Sequence, residues 1–209
     1  MASTLGGTRS ERKRGHILDA ARDVFAREGF SQAGMEQVAR LAGVSTATLY
    51  AHFPSKAELF RVVVEDTING LAGDIAASST VTGDARTRLT AFATAYAVFY
   101  SDPTSRALFR MVVSERRRFP ALAEHYRMRG RNEFGGAAIT LVRDLVSDGA
   151  LAAEKPARAA GQLQGMIEHA TLLFGLVEGD EARASREPQE IAADAVETFL
   201  ARYAVREKA

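Results

Sequence analysis

Residues Met35–Phe53, MEQVARLAGVSTATLYAHF, hold two short helical patterns separated only by Ala42-Gly43-Val44. Helices this short are marginal alone, because the first turn fixes several dihedral pairs for a single hydrogen bond. They persist only if a tight turn presses them together and against a third helix. Gly43 suits the positive φ that lets a chain leave one helix and enter the next within three residues. Ala39, four residues earlier, is small enough for the second helix to cross closely. Val38, Val44 and Leu49 supply apolar contacts, and Ser45 stands where a hydroxyl would cap the next helix. A small residue, a glycine turn, a capped second helix and an inward apolar position together form the pattern of a helix-turn-helix. On pattern alone the segment serves either as a DNA-reading element or as a structural helical hairpin.

The rest of the chain reads as all-α, with about nine helices and no convincing strand. The first spans about Ser10 to Arg27, its face carrying Ile17, Ala21, Val24 and Phe25, and Gly29 ends it. The second is Met35–Leu41, and the third lies between Ser45 and Pro54. The fourth opens at Ser55 and reaches about Ala76 on a stripe of Leu59, Phe60, Val63, Ile68, Leu71 and Ile75. Asp84 caps a fifth helix. Asp102-Pro103 starts a sixth that runs to Arg118, since proline is pre-set for the first turn. Phe119-Pro120 opens a seventh, reaching Ser147. Pro156–Val177 is the eighth and Pro188–Val205 the ninth, with the polar EGDEARASRE loop between them. The expected division is an N-terminal arm and helix-turn-helix domain over 1–54 and a larger helical bundle over 55–209.

Composition narrows the classes. At 209 residues with 46% hydrophobic and 25% charged side chains, the balance is that of an ordinary globular protein. The longest apolar runs, such as Ala170–Val177, are too short to span a bilayer. The opening MASTLGGTRSERKR has no apolar run after a basic start, so it does not read as a secretory signal. With no cysteine, a disulfide framework and thiolate zinc sites are excluded, which fits a reducing cytoplasm. Net charge is only +1, yet Arg9, Arg12, Lys13 and Arg14 crowd together just before the first helix. No nucleophile motif or phosphate loop is present, and the histidines His16, His52, His125 and His169 lie far apart. Glu124-His125 and Glu168-His169 could converge on a metal only if their helices met; polar positions or a pocket lining account for them as well. The expectation is no enzyme, no cofactor and no metal.

The run GVSTATLYAHFPSKAELF resembles the signature of the TetR family of transcriptional regulators, as does the order of a basic arm, an amphipathic first helix ending in REGF and the helix-turn-helix. This resemblance covers Arg9 to about Val64. Further on, LFRMVVSERRRFPALAEHY resembles the C-terminal domain of the AefR-like subgroup. The resemblance implies a double-stranded DNA operator, a small-molecule effector and a homodimer.

Candidate residues follow. On the third helix Leu49 and Phe53 point inward, four apart on one face. Thr46, Ala47 and Tyr50 share the opposite side and would enter the major groove, where threonine and alanine methyls can meet a thymine methyl. By resemblance, Thr48, Tyr50, His52 and Lys56 match positions that hold phosphates, contacts that set register rather than sequence. Thr46 stands where the family commonly has Lys or Arg, so the helix carries no strong base-reading cation. Gly34 replaces the usual Ser or Thr cap. The resemblance places an effector pocket among the fifth to eighth helices, with Phe92, Tyr96, Phe99, Phe109, Met166, His169 and Phe174 as candidate lining. The eighth and ninth helices read as the dimer interface, because Gly161 and Gly165 permit close approach and Leu172, Leu176, Ile191, Val196, Phe199 and Leu200 offer apolar area.

Overall fold

The computed structural model describes residues 9–179 and 186–205. Its helices are α1 (Arg9–Gln32), α2 (Met35–Leu41), α3 (Thr46–His52), α4 (Lys56–Ser79), α5 (Ala85–Ser101), α6 (Pro103–Ser114), α7 (Pro120–Arg129), α8 (Gly136–Ser147), α9 (Pro156–Glu168), α10 (Phe174–Glu178) and α11 (Pro188–Tyr203). Helices α7 and α8 join without a break through a π-helical turn, Gly130–Gly135, and α9 and α10 through another, His169–Leu173. Taken as continuous, these pairs give the nine helices expected. Most of the expected loop between α10 and α11 lies outside the described residues. Among those described, the one extended pairing is an isolated antiparallel bridge between Leu151 and Ala204.

Local chemistry sets the helix starts. Ser45 Oγ accepts from the Thr48 amide at 3.1 Å, Ser55 Oγ from Glu58 at 3.1 Å, and Asp84 Oδ1 from Thr87 at 2.8 Å. That last bond, made to the ionised form, holds the Asp84 carboxyl below its usual range. Asp102 caps α6 through the Ser105 amide at 2.7 Å, and a proline opens each of α6, α7, α9 and α11.

Two boundaries differ from the sequence expectation. Helix α1 does not stop at Gly29. That residue takes φ 73°, kinks the chain, and lets the helix resume as far as Gln32, so Phe30 turns into the core. Helix α6 ends at Ser114 rather than Arg118, and 115–118 form turns. This redirection carries Phe119 back to α1, where its ring centre lies 4.9 Å from that of Phe30 and 5.7 Å from that of Phe60.

One apolar core runs without a break from Ile17 of α1 to Phe199 of α11. Helix α4 belongs to both halves of it, packing on α1 on one side and on α5 and α8 on the other. Buried within the bundle, Arg106 of α6 donates to the Thr171 carbonyl in the second π turn at 3.4 Å. Gly175 of α10 passes directly over it. A Cβ there would lie 2.7 Å from the Arg106 Cδ, so any larger residue would displace the Arg106 side chain.

Candidate nucleic-acid interface and interior cavity

The turn after α2 has Gly43 at φ 67°, with the Val44 amide bonded back to the Ala39 carbonyl at 3.0 Å. This bond closes the gap between α2 and α3. Leu49 and Phe53 are fully buried beneath α3, which fixes its roll. Thr46, Ala47 and Tyr50 are consequently exposed together on its outer face, Tyr50 by 48%. Thr48 is half-buried and its hydroxyl pairs with Ser45 Oγ at 2.9 Å. His52 is half-buried too, its ring beside that of Phe53.

Lys56 is engaged elsewhere. Its ammonium donates to the Ser31 and Ala33 carbonyls at 3.1 and 2.9 Å and sits 4.9 Å from the centre of the Phe30 ring. In this position the charge closes the end of α1 rather than projecting to solvent. Exposed cations lie instead on the other two helices of this half: Arg12 and Arg14 of α1 and Arg40 of α2. Arg14 lies over the Phe53 ring at 5.5 Å, which ties the start of α1 to the end of α3.

The larger half is indented by an open cavity of about 750 Å³ between α5, α6, α7, the first π turn, α8 and α9. Of the expected lining, Tyr96 and Phe109 border it. Phe92 is buried behind Tyr96, with ring centres 5.7 Å apart, and Phe99 packs on Tyr100 at 5.1 Å. Met166 and His169 border a different groove, between α9 and α11. Phe174 is exposed and meets the His169 ring edge-on at 5.0 Å. The cavity also draws in residues outside the expected set: Tyr100, Tyr126, Phe134 and Gln164. Phe134 sits in the first π turn, a segment whose altered spacing no helical periodicity could have placed.

Three tyrosines and a carboxylate meet in the wall of this cavity. The Tyr96 hydroxyl donates to Glu168 Oε1. Burial raises the phenols of Tyr96, Tyr100 and Tyr126, and the charge of Glu168 adds to the effect, with Tyr100 pushed up to about 12. The two Glu–His pairs do not converge. His125 Nε2 contacts Glu65 of α4 at 2.6 Å, while Glu168 borders the cavity. Among the described residues no three potential ligands cluster as a metal would need. Nor is any described helix long and apolar enough to cross a membrane.

A network joins the cavity wall to α4. Arg129, just before the first π turn, holds Glu133 through two bonds of 2.6 Å and reaches Glu65 at 3.2 Å and Asn69 at 2.7 Å. These bonds hold the Arg129 guanidinium above its usual range and the Glu133 carboxyl below its own. A second link runs through the turn between α6 and α7. Val113, Arg116 and Pro120 border the cavity, and Phe119 beside them packs on Phe30 and Phe60.

Comparison with known proteins agrees with this arrangement. The model of the bacterial regulatory proteins, tetR family, matches residues 17–63, and that of the AefR-like transcriptional repressor, C-terminal domain, matches residues 87–205. The transcriptional activator FasR of Mycolicibacterium smegmatis is 38% identical over 86 residues, 41% of this chain and 39% of that protein. The curated relatives are thus matched over less than half of their own length. A TetR-family regulator from Mesorhizobium loti superposes with a TM-score of 0.77 at 26% identity, covering 95% of this chain and all of that one. The flavonoid-responsive regulator FrrA superposes with a TM-score of 0.63, also at 26% identity, over 94% of this chain and all of its own.

Proposed function

The chain belongs to the TetR family of DNA-binding transcriptional regulators, and from that premise we propose that it acts as a homodimeric repressor of a palindromic operator, released when a small apolar or amphipathic molecule fills the cavity of the larger half. Members of this family are transcription factors rather than enzymes. The observation that carries the proposal is the outward face of α3. Thr46, Ala47 and Tyr50 stand free on a helix whose roll is fixed by Leu49 and Phe53.

Thr46 and Ala47 read base edges in the major groove, and Tyr50 with Thr48 and His52 meets the backbone. The positive charge for phosphates comes mainly from α1 and α2, through Arg12, Arg14 and Arg40. Residues 1–54 form the DNA-binding unit and 55–209 the effector and dimer unit, with α4 shared between their cores. The protein works in the cytoplasm, where its operator is.

Two half-sites one helical turn apart, about 34–36 Å, require two copies of α3 in fixed relation. The dimer forms through α9, α10 and α11. Leu173, Phe174 and Val177 lie 53, 52 and 82% exposed there, and nothing stands over Gly161 and Gly165. A molecule in the cavity shifts operator affinity only by its differential affinity for the two dimer geometries. Support for a responsive cavity comes from its size, which lies within the range of small-molecule sites, and from FrrA, which is flavonoid-responsive.

In vitro selection from random duplexes, followed by fluorescence anisotropy, tests the reading. The expected product is a palindrome with half-sites one turn apart, bound by a dimer. Tyr50→Ala should weaken binding across all sequences by roughly tenfold while leaving the salt slope unchanged, because a neutral phenol releases no counterion. Selection of no sequence, or of an asymmetric single site bound by a monomer, would overturn it.

A further inference from the structure

The inner wall of the cavity sets one carboxylate among aromatic rings. Glu168 ends α9 and borders the space together with Tyr96, Tyr100, Tyr126, Phe109 and Phe134. Tyr96 and Tyr100 are almost wholly buried, at 2 and 8% exposure. Among the described residues only the Tyr96 hydroxyl donates to Glu168, and it occupies Oε1 alone. No described Lys, Arg or His forms an ion pair with Glu168. Glu168 is half-buried and borders the cavity with no counter-charge from the described residues paired to it. That this carboxylate is felt by its neighbours is plain from the phenols, all three of which it helps to keep protonated.

The cations near the cavity do not answer this need. Arg127 is clamped by Glu124 through bonds of 2.8 and 2.6 Å, and Arg116 turns back to the Val113 carbonyl at 2.8 Å. Both, with Arg131, are exposed at the mouth, where water and salt screen them within about 10 Å. The half-buried Glu168 carboxylate, bonded to Tyr96, is screened less than these exposed arginines, so it is the charge that a molecule lying against the tyrosines meets. Aromatic faces around a site of negative potential are the chemistry that holds ammonium groups, through attraction to the ring quadrupoles.

Resting on the effector reading above, we propose that the effector is an organic cation, a protonated amine or quaternary ammonium on an apolar or aromatic body. Its charged head sits between Glu168 and the rings of Tyr96, Tyr100 and Tyr126. Its body extends along Phe109 and Phe134 toward the mouth. Glu168 selects for charge and the apolar wall for shape.

The test uses the full-length protein and three probes of similar size: 4-phenylbutyltrimethylammonium, its neutral isostere with carbon in place of nitrogen, and the anion 6-phenylhexanoate. Calorimetric titration of the wild type should show the ammonium binding about tenfold or more tightly than the neutral isostere. Glu168→Gln should erase that preference while leaving the neutral affinity and the unfolding midpoint unchanged. Tyr96→Phe, which keeps the ring and the carboxylate charge, should retain the preference even if Glu168→Gln folds poorly. Equal binding of the neutral probe, tighter binding of the anion, a preference that survives Glu168→Gln, or binding of none of the three would overturn the proposal. Operator release is read separately by anisotropy. Cation binding that depends on Glu168 but leaves the operator bound sustains the cation site and refutes the effector role. Release by the neutral or anionic probe alone does the reverse.

Discussion

A lysine in the first turn of a helix faces the positive end of the macrodipole, so Lys56 needs a compensating partner, and two sources of negative charge compete for it. The family resemblance assigns it a phosphate. The fold supplies the carbonyls of Ser31 and Ala33 and the face of Phe30. Gly29 decides between them, because its kink swings those carbonyls to within reach of the ammonium. Lys56→Met keeps the stem and removes the charge. It should lower stability by about 1–2 kcal/mol, the scale of charged hydrogen bonds at a partly exposed site, as read by urea denaturation. The salt slope of operator binding should then stay unchanged. Unchanged stability with a slope reduced by about one would return Lys56 to the phosphate backbone.

At the scale of elements, the turn between α6 and α7 touches both the cavity and the DNA-binding half. Ending α6 four residues early leaves 115–118 as turns and lets Phe119 pack on Phe30 and Phe60, with the Arg118 guanidinium 4.7 Å from the centre of the Phe30 ring. The Arg129 network makes a parallel link from α7 to α4. A close-packed interior transmits small shifts through such contacts. Phe119→Ala should cost about 2 kcal/mol of stability, less than a fully buried phenylalanine would because Phe119 is half-buried. Its diagnostic effect is on coupling. Ligand affinity for the cavity should hold, while the fold-change that a bound ligand produces in operator affinity shrinks toward one. Titration of ligand and operator together measures this, and an undiminished response would place the transmission elsewhere.

For the whole molecule, the dimer reading separates residues that its sequence pattern could not. Ile191, Val196 and Phe199 were candidates for the interface, yet all three are buried within the monomer's own core. Removing α11 would therefore strip the fold itself and would not test association. On this side of the bundle Leu173, Phe174 and Val177, on the second π turn and α10, are the apolar side chains more than half exposed. Phe174→Asp with Val177→Asp should leave the helical content intact and yield a monomer by light scattering. Operator affinity should fall at least tenfold, because each α3 must then bind its half-site alone. A dimer that survives both substitutions would move the interface away from α10.

The sequence by itself determined the helix starts, because a cap or a first-turn proline is chemistry confined to a few neighbouring residues, and Ser45, Ser55, Asp84 and Pro103 act within their own turns. It determined the helix-turn-helix for the same reason: Gly43, Ala39 and Leu49 state its geometry within fifteen residues. It also marked which helical faces are apolar. Only the tertiary structure decided what those faces meet. Periodicity does not distinguish an aromatic ring that seals a core, as Phe92 does, from one that borders a cavity, as Tyr126 does, since both satisfy the same spacing. The two π turns add a residue to the helical repeat and rotate everything beyond them. Glu168 and Lys56 depend on contacts between segments far apart in the chain, Tyr96 with Glu168 and Lys56 with Ser31 and Ala33, and such contacts exist only once the helices have packed.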